Sequence, residues 1–468
     1  MKEIYVKDLL RICNGKILVG NEDEALVDFS KDTREVKEGD VYVGIKGENH
    51  DGNLLYEEAL KKGAKVCILQ KESVNEKIDK NKIIENYSNR TIVIVDNTVK
   101  ALQELAAYKR SLYNIPVVGV TGSVGKTSTK DIIASVMSKK YNVLKTLGNY
   151  NNQIGLPLTI LRLKDHDAMV VEMGMSELGE ISNLTRIAKP TVAVITNVGT
   201  AHIGNLGSRE NILKAKLEIL EGLQENGTLV INNDNDMLHA WNEKVHSNKY
   251  KVVTFGLENK SDVMAKDVEM TEKGSTYKIN VNDKTYNVNV SVGGNHFVLN
   301  SLCAIAIGNL FNIDMKDILE GISNFELTKR RMEIDKNKLG ATIINDCYNA
   351  NYDSMKAALD YLGNLKNNKK IAVLGDMLEL GEFSKMLHEK VGEAVAKNKI
   401  DILITVGEMS KNIANKAKEE GMKANHIYTC ENNNEAIDLL KGIMKKDDAI
   451  LIKASNGMKF QEIFEKIC

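Results

Sequence analysis

Apolar residues recur along this chain in two rhythms, short unbroken runs and helical repeats, and their alternation divides it into three stretches. In the first, Asp40–Ile45, Val66–Leu69 and Thr91–Val95 read as strands, and Leu54–Lys62 reads as a helix stopped by Gly63. The opening segment, Met1–Gly15, spaces its apolar residues as an amphipathic helix, with Glu3, Asp8 and Arg11 between them. Charge at those positions is unlike a signal peptide. Lys71–Asn89 is so polar that it reads as a solvated excursion. Thr98–Tyr113 places Leu102, Leu105, Ala106 and Leu112 at helical spacing, and Pro116 then breaks into the run Val117–Val120.

The second stretch continues the alternation. Ala168–Val171, Val192–Ile195 and Thr228–Ile231 read as buried strands, while the polar alternating segment Lys251–Val292 predicts antiparallel strands inserted among them. From about Thr328 the rhythm is regular. Strands are expected at Thr342–Asn345, Lys370–Leu374, Ile402–Val406 and Ala449–Ile452. Helices are expected at Ser354–Leu365, Phe383–Lys397, Ser410–Glu420, Glu435–Met444 and Lys459–Ile467. Strands alternating with helices favour a parallel sheet covered on both faces. The fold class is therefore α/β, and 468 residues suffice for about three domains. Boundaries are drawn at 1–98, 99–327 and 328–468.

Composition narrows the partners. Apolar residues make up 43% and charged residues 27%, which excludes a disordered chain. A formal net charge of −1 gives no field that would gather nucleic acid or an anionic membrane. A phosphate-bearing ligand must then be held by local groups. The six cysteines, Cys13, Cys67, Cys303, Cys347, Cys430 and Cys468, are scattered and form no CxxC pair, which favours reduced thiols in the cytoplasm. No stretch is long and apolar enough to span a bilayer.

The sharpest local signal is Gly119-Val120-Thr121-Gly122-Ser123-Val124-Gly125-Lys126-Thr127-Ser128, between a buried-type strand and the helix pattern Thr129–Lys139. Glycines let the backbone wrap a phosphate, and the new helix adds its positive end. Lys126 would reach the outer phosphates and Thr127 would ligate Mg²⁺. Val120 stands where the usual P-loop has its first glycine, so only the shorter Gly-x-x-Gly-Lys-Thr remains. The competing reading is an ordinary glycine-rich turn with an exposed lysine.

Two strand ends point at the same place. Glu172 closes the run Val170-Val171, and His202 follows Val192–Thr196 through the turn Asn197–Ala201. Ligands of open α/β sheets gather at the carboxyl ends of strands, so Glu172 could hold Mg²⁺ and His202 could join it. An isolated glutamate or histidine is more often structural. Lys216, in the helix pattern Arg209–Glu221, reads by itself as a solvated lysine.

Taken in order, these segments resemble the Mur ligase family. The loop 122–127, Asn149–Pro157, the Glu172 strand, Gly199–His202, Arg330–Glu333 and Asn345–Asn351 follow the family's sequence of motifs across essentially the whole chain. Asn197–Ser208, Asp346–Met355 and Leu374–Gly381 resemble the members that add D-alanyl-D-alanine to UDP-N-acetylmuramoyl-tripeptide. Asp32-Thr33-Arg34, with Gly39-Asp40, Gly47 and Asp51-Gly52, resembles their UDP-muramoyl domain.

The resemblance implies a small α/β substrate domain, a central P-loop-type ATPase domain and a Rossmann-like C-terminal ligase domain. It implies ATP and Mg²⁺ as cofactors and an acyl-phosphate intermediate. It assigns the ATP phosphates to Gly122, Ser123, Val124, Gly125, Lys126, Thr127 and Ser128. Mg²⁺ falls to Thr127, Glu172 and His202, and to Lys216 if carbamylated. Asn300 falls to adenine, Arg331 to the γ-phosphate and Asp346 to the ribose. Thr33, Arg34, Asn151 and Asn152 face the muramoyl substrate. A cytoplasmic monomer of peptidoglycan synthesis, with no nucleic-acid partner and no membrane insertion, is expected. A family member with another amine acceptor, and a P-loop protein that only hydrolyses or senses nucleotide, are the competing assignments. The chain departs from the family pattern at Asn53, Phe297, Tyr352 and Asn456.

Overall fold

The apolar runs pair into three main sheets, in a computed structural model that describes residues 2–245, 248–271 and 274–468. The N-terminal sheet runs in the order Lys16–Val19, Thr91–Val95, Val66–Gln70, Val41–Val43, Phe29–Ser30, and only its first pair is antiparallel. The opening segment differs from the expected continuous helix. Ile4–Tyr5 first pairs with Ala25–Leu26, and the helix is confined to Val6–Cys13, ended by Asn14 at φ 49°. The charged excursion is also structured: Lys71–Lys77 and Lys80–Asn86 are helices whose Val74 and Ile83 are buried against Cys67, Leu69 and Ile92. So few apolar residues are too sparse to leave a readable period.

The central sheet has nine strands. Val117–Thr121 lies in its middle, between Ala168–Glu172 and Val192–Ile195, all three parallel and fully buried. Register puts Glu172 opposite Val120, and Ile195 opposite Thr121. The carboxyl ends of these strands are therefore level, and the loops leaving them share one edge. Within Lys251–Val292, Lys251–Gly256 joins the sheet in parallel, and only Val263–Thr271, Gly274–Val281 and Lys284–Val290 form the expected antiparallel ladder.

The C-terminal sheet is ordered Glu333–Lys336, Thr342–Asn345, Ala449–Lys453, Lys370–Gly375, Ile402–Val406, Ile427–Cys430, and all but its first pair are parallel. The connection into it is pinned: Thr328 donates from its N–H (3.2 Å) and its hydroxyl (2.8 Å) to Oδ2 of buried Asp131. No helix among the described residues is long and apolar enough to cross a membrane.

Lys126–Met137, the helix that opens at the glycine loop, packs against Asn295–Leu310 and Met315–Ser323. The approach is close enough that a Cβ on Gly321 would stand 2.8 Å from Cα of Val136 and 3.0 Å from its N. Backbone cannot swing aside as a side chain can. Gly321→Ala is therefore expected to destabilise the protein by about 1–3 kcal/mol, seen as a lower urea midpoint with an unchanged slope. An unchanged midpoint would mean that the two helices separate freely.

Candidate active site

The glycine loop departs from the end of Val117–Thr121, and its neighbour strand dictates its path. A Cβ on Gly122 (φ 152°) would lie 1.9 Å from Oγ1 of Thr196, so the loop can pass only without a side chain. Gly125 takes the left-handed φ of 79° and turns the chain into the helix that begins at Lys126. The Asn197 side chain holds the loop from both sides: Oδ1 accepts from Val124 N (3.0 Å) and Nδ2 donates to Val124 O (3.1 Å). Thr196 Oγ1 donates to the same carbonyl at 2.6 Å. These tethers leave N–H groups at a helix start free to face an anion.

Lys126 is not the exposed lysine of the competing reading. Its Nζ folds back to donate to Gly122 O at 2.8 Å, and burial lowers its pKa, opposed by the nearby Glu172 carboxylate. Glu172 is 2% exposed. Its Oε1 accepts from Asn151 Nδ2 at 2.7 Å, while Oε2 is buried without a hydrogen-bond partner among the described residues. A buried carboxylate oxygen in that state calls for a cation or a donor.

Two further groups lie beside them, His202 partly buried and Lys216 fully so. Burial pushes the pKa of His202 down to about 4, helped by the charges of Lys126 and Lys216, so its ring is neutral near pH 7. Its Nδ1 lies 3.0 Å from Glu379 Oε2 and makes no hydrogen bond among the described residues. Lys216 is 2% exposed and has no hydrogen bond or ion pair among the described residues. Burial, then the charge of Lys126, takes its pKa well below the ordinary lysine range.

The C-terminal sheet closes the other side. Arg331 Nη2 donates to Thr127 Oγ1 at 3.4 Å, and its guanidinium lies 3.8 Å from the centre of the Tyr348 ring. Buried Lys453 holds the Asp346 carboxylate, whose Oδ1 also accepts from Met332 N at 3.2 Å. Ser123–Ser128, His202, Asn300, Arg331, Asp346 and Lys453 line one cleft between the two sheets. Glu172 and Lys216 are set back from that lining, near enough for their charges to act on Lys126 or to feel it. Asn300 is buried, its Nδ2 without a hydrogen-bond partner among the described residues, and Phe297 packs its ring 4.6 Å from that of His296. Phe297 thus supplies an apolar wall where the family pattern has a polar group.

The remaining sites separate. Thr33 and Arg34 line a second cleft with Lys31, His50, Glu58 and Ile154. Asn151 is tied to Glu172, and Asn152 Oδ1 accepts from the N–H groups of Ile154 and Gly155, where the helix Gly155–Leu161 begins. The segment 151–154 therefore links the two clefts. Sequence reasoning missed Lys453, Tyr348 and the Thr196–Asn197 tether. Lys453 closes the parallel strand Ala449–Lys453, the same strand-end position in its sheet that Glu172 holds in the central one.

The donor set suits a hard divalent cation. Among the described residues no three His, Cys, Asp or Glu side chains form a ready cage. One hydroxyl (Thr127) and one carboxylate with an unpartnered oxygen (Glu172), completed by phosphate oxygens, match what Mg²⁺ takes.

Three family profiles match the chain: "Mur ligase family, catalytic domain" over 30–110, "Mur ligase middle domain" over 120–308 and "Mur ligase, glutamate ligase domain" over 330–456. UDP-N-acetylmuramoyl-tripeptide--D-alanyl-D-alanine ligase of Bacillus subtilis is 38% identical, over 99% of this chain and 98% of its own. The ligase of the same name from Escherichia coli is 32% identical over 88% of each chain. Among solved structures, MurF of Acinetobacter baumannii superposes with a TM-score of 0.87 at 27% identity, covering 100% of this chain and 99% of that one. MurF ligase of Thermotoga maritima in complex with ADP gives 0.80 at 30%, covering 94% and 97%.

Lys216 makes a testable demand on stability. Its pKa is lower folded than unfolded, so between those values the unfolded chain binds more protons and stability rises with pH. Lys216→Met removes that share of the slope. In CO₂-free buffer the variant is expected to have the higher urea midpoint near pH 7, with the gap closing as pH approaches the ordinary lysine range. A gap that does not vary with pH would show that Lys216 titrates normally.

Proposed function

The chain belongs to the Mur ligase family, and from that premise we propose that it joins D-alanyl-D-alanine to UDP-N-acetylmuramoyl-tripeptide, using ATP through an acyl-phosphate intermediate, in peptidoglycan precursor synthesis. The observation that carries this reading is Arg331, delivered by the C-terminal sheet onto Thr127 of the glycine loop. A phosphate site completed by a second domain is what transfer to a bound acid requires, because closure keeps water from the activated group.

In the first step a carboxylate oxygen of the tripeptide bonds to the γ-phosphorus, the bond from that phosphorus to the β-bridging oxygen breaks, and ADP leaves. In the second the dipeptide amine bonds to the acyl carbon and loses a proton, the C–O bond breaks, and inorganic phosphate leaves. Activation is needed because a carboxylate at neutral pH has no good leaving group. The loop N–H groups cradle the phosphates, and Lys126 and Arg331 stabilise the charge that spreads over the transferred group. Thr127, Glu172 and neutral His202 would hold Mg²⁺, which when bound would neutralise the phosphate oxygens. The uncharged amine of Lys216 is the form that takes up carbon dioxide as a carbamate, releasing a proton and presenting an oxygen. Asn300 addresses the adenine, and Asp346, fixed by Lys453, the ribose.

Residues 1–98 take the UDP-muramoyl part through Thr33 and Arg34, 99–327 carry the nucleotide and 328–468 complete the site. Asn151 and Asn152 face the muramoyl peptide. Six free cysteines support a cytoplasmic setting.

Phosphate release from ATP is expected to require both the UDP-linked tripeptide and the dipeptide, with a product heavier by one dipeptide less water. Glu172→Gln and Arg331→Ala are expected to lower turnover by roughly 10²–10³-fold. Release that ignores the acceptor, or turnover by Glu172→Gln at the wild-type rate, would discard the assignment.

A further inference from the structure

One carboxylate at the closed face belongs to none of the steps above. Asp353 lies in the first turn of the helix Tyr352–Asn364, where a carboxylate ordinarily serves its own helix. Here Asn351 already caps that helix, accepting from Ser354 N at 2.9 Å. Asp353 points instead into the central domain: its Oδ2 accepts from the N–H of Thr200 (2.6 Å) and from its hydroxyl (2.8 Å). The approach is so close that a Cβ on Gly199 would stand 2.3 Å from that oxygen. Gly199 in turn donates its N–H to Oγ of buried Ser123, inside the glycine loop, at 2.9 Å. Two residues beyond Thr200 is His202, held at a left-handed φ of 61°. The far end of the same turn is gripped as well, since a Cβ on Gly204 would meet Glu379 O and Gly381 N, both at 2.7 Å.

Resting on the ligase reading, we propose that Asp353 is a positioning residue: through Thr200 it docks the C-terminal domain on the 199–202 turn and so holds His202 and the glycine loop in register. The turn is fixed from one side by its own sheet and from the other by a domain that must move for substrates to enter. Its correct shape is then a property of the docked state. Asp353 touches no reacting atom. It acts through Thr200, Gly199 and Ser123.

The test compares Asp353→Ala, Asp353→Asn, Thr200→Ala and the double alanine variant. Asp353→Ala is expected to lower kcat roughly tenfold or more, with KM for ATP changed far less, because a small displacement of positioned groups is costly. Asp353→Asn keeps an oxygen acceptor and should recover most of that loss. The double variant should be no slower than Asp353→Ala alone, since Asp353→Ala already removes both bonds to Thr200 and Thr200→Ala only the one from its hydroxyl. Small-angle scattering of the free proteins should show a larger radius of gyration for Asp353→Ala than for wild type. Wild-type kcat in Asp353→Ala, or losses that simply add in the double variant, would overturn the proposal. If the wild-type protein shows no ligase turnover, the ligase reading fails and scattering alone decides: an unchanged radius overturns the docking role.

Discussion

A set of buried ionisable groups that cannot satisfy one another is the constraint on which the rest of the molecule turns. Lys126, Lys216, His202 and Glu172 are packed where solvation is poor, with a single carboxylate among these four and one of its oxygens without a hydrogen-bond partner among the described residues. Desolvation makes each charge costly, and proximity makes the cationic ones repel. The protein's own answer is to keep His202 neutral and to push Lys216 toward the neutral amine. What remains, a cationic loop above the Glu172 carboxylate, is complementary to a polyphosphate with its divalent metal. Function here is an unfinished electrostatic arrangement that the substrates complete.

The fold keeps these groups together by making strand ends coincide. Three adjacent parallel strands end at the same level, so the glycine loop, Glu172 and the Thr196–His202 segment leave one edge side by side. The glycine loop could not pass otherwise, since Gly122 runs against Thr196 with no room for a Cβ. Fixed donors on neighbouring loops replace the water that a charged ligand loses on entering. Lys453 shows the same device in the C-terminal sheet, where a strand end supplies the cation that orients Asp346.

Several polar contacts between domains are placed at that edge. Thr328 on Asp131 anchors the connection between the domains to the phosphate-loop helix, and three residues later Arg331 reaches Thr127. Asp353 on Thr200 sits across the cleft from that anchor. Contacts of this kind break and reform at modest free-energy cost, which suits a site that must open for substrates and exclude water afterwards.

The sequence by itself determined the α/β class, the strand–loop–helix at 117–137 and the strand-end position of Glu172, because each is written in a local rhythm of apolar residues and glycines. It also carried a whole-chain order of motifs, which the family profiles match independently. It did not disclose the helices over 71–86, whose one or two buried residues make no period, nor the split of the opening segment into strand and helix. Only the tertiary structure decided that Lys216, unremarkable on a charged helix, is buried without a partner among the described residues. Only there does Asp353, in pattern an ordinary first-turn acid, bond another domain while Lys453 holds Asp346. The reason is physical: burial and pairing between residues more than a hundred positions apart depend on how sheets stack and domains close, and no window of sequence contains that distance.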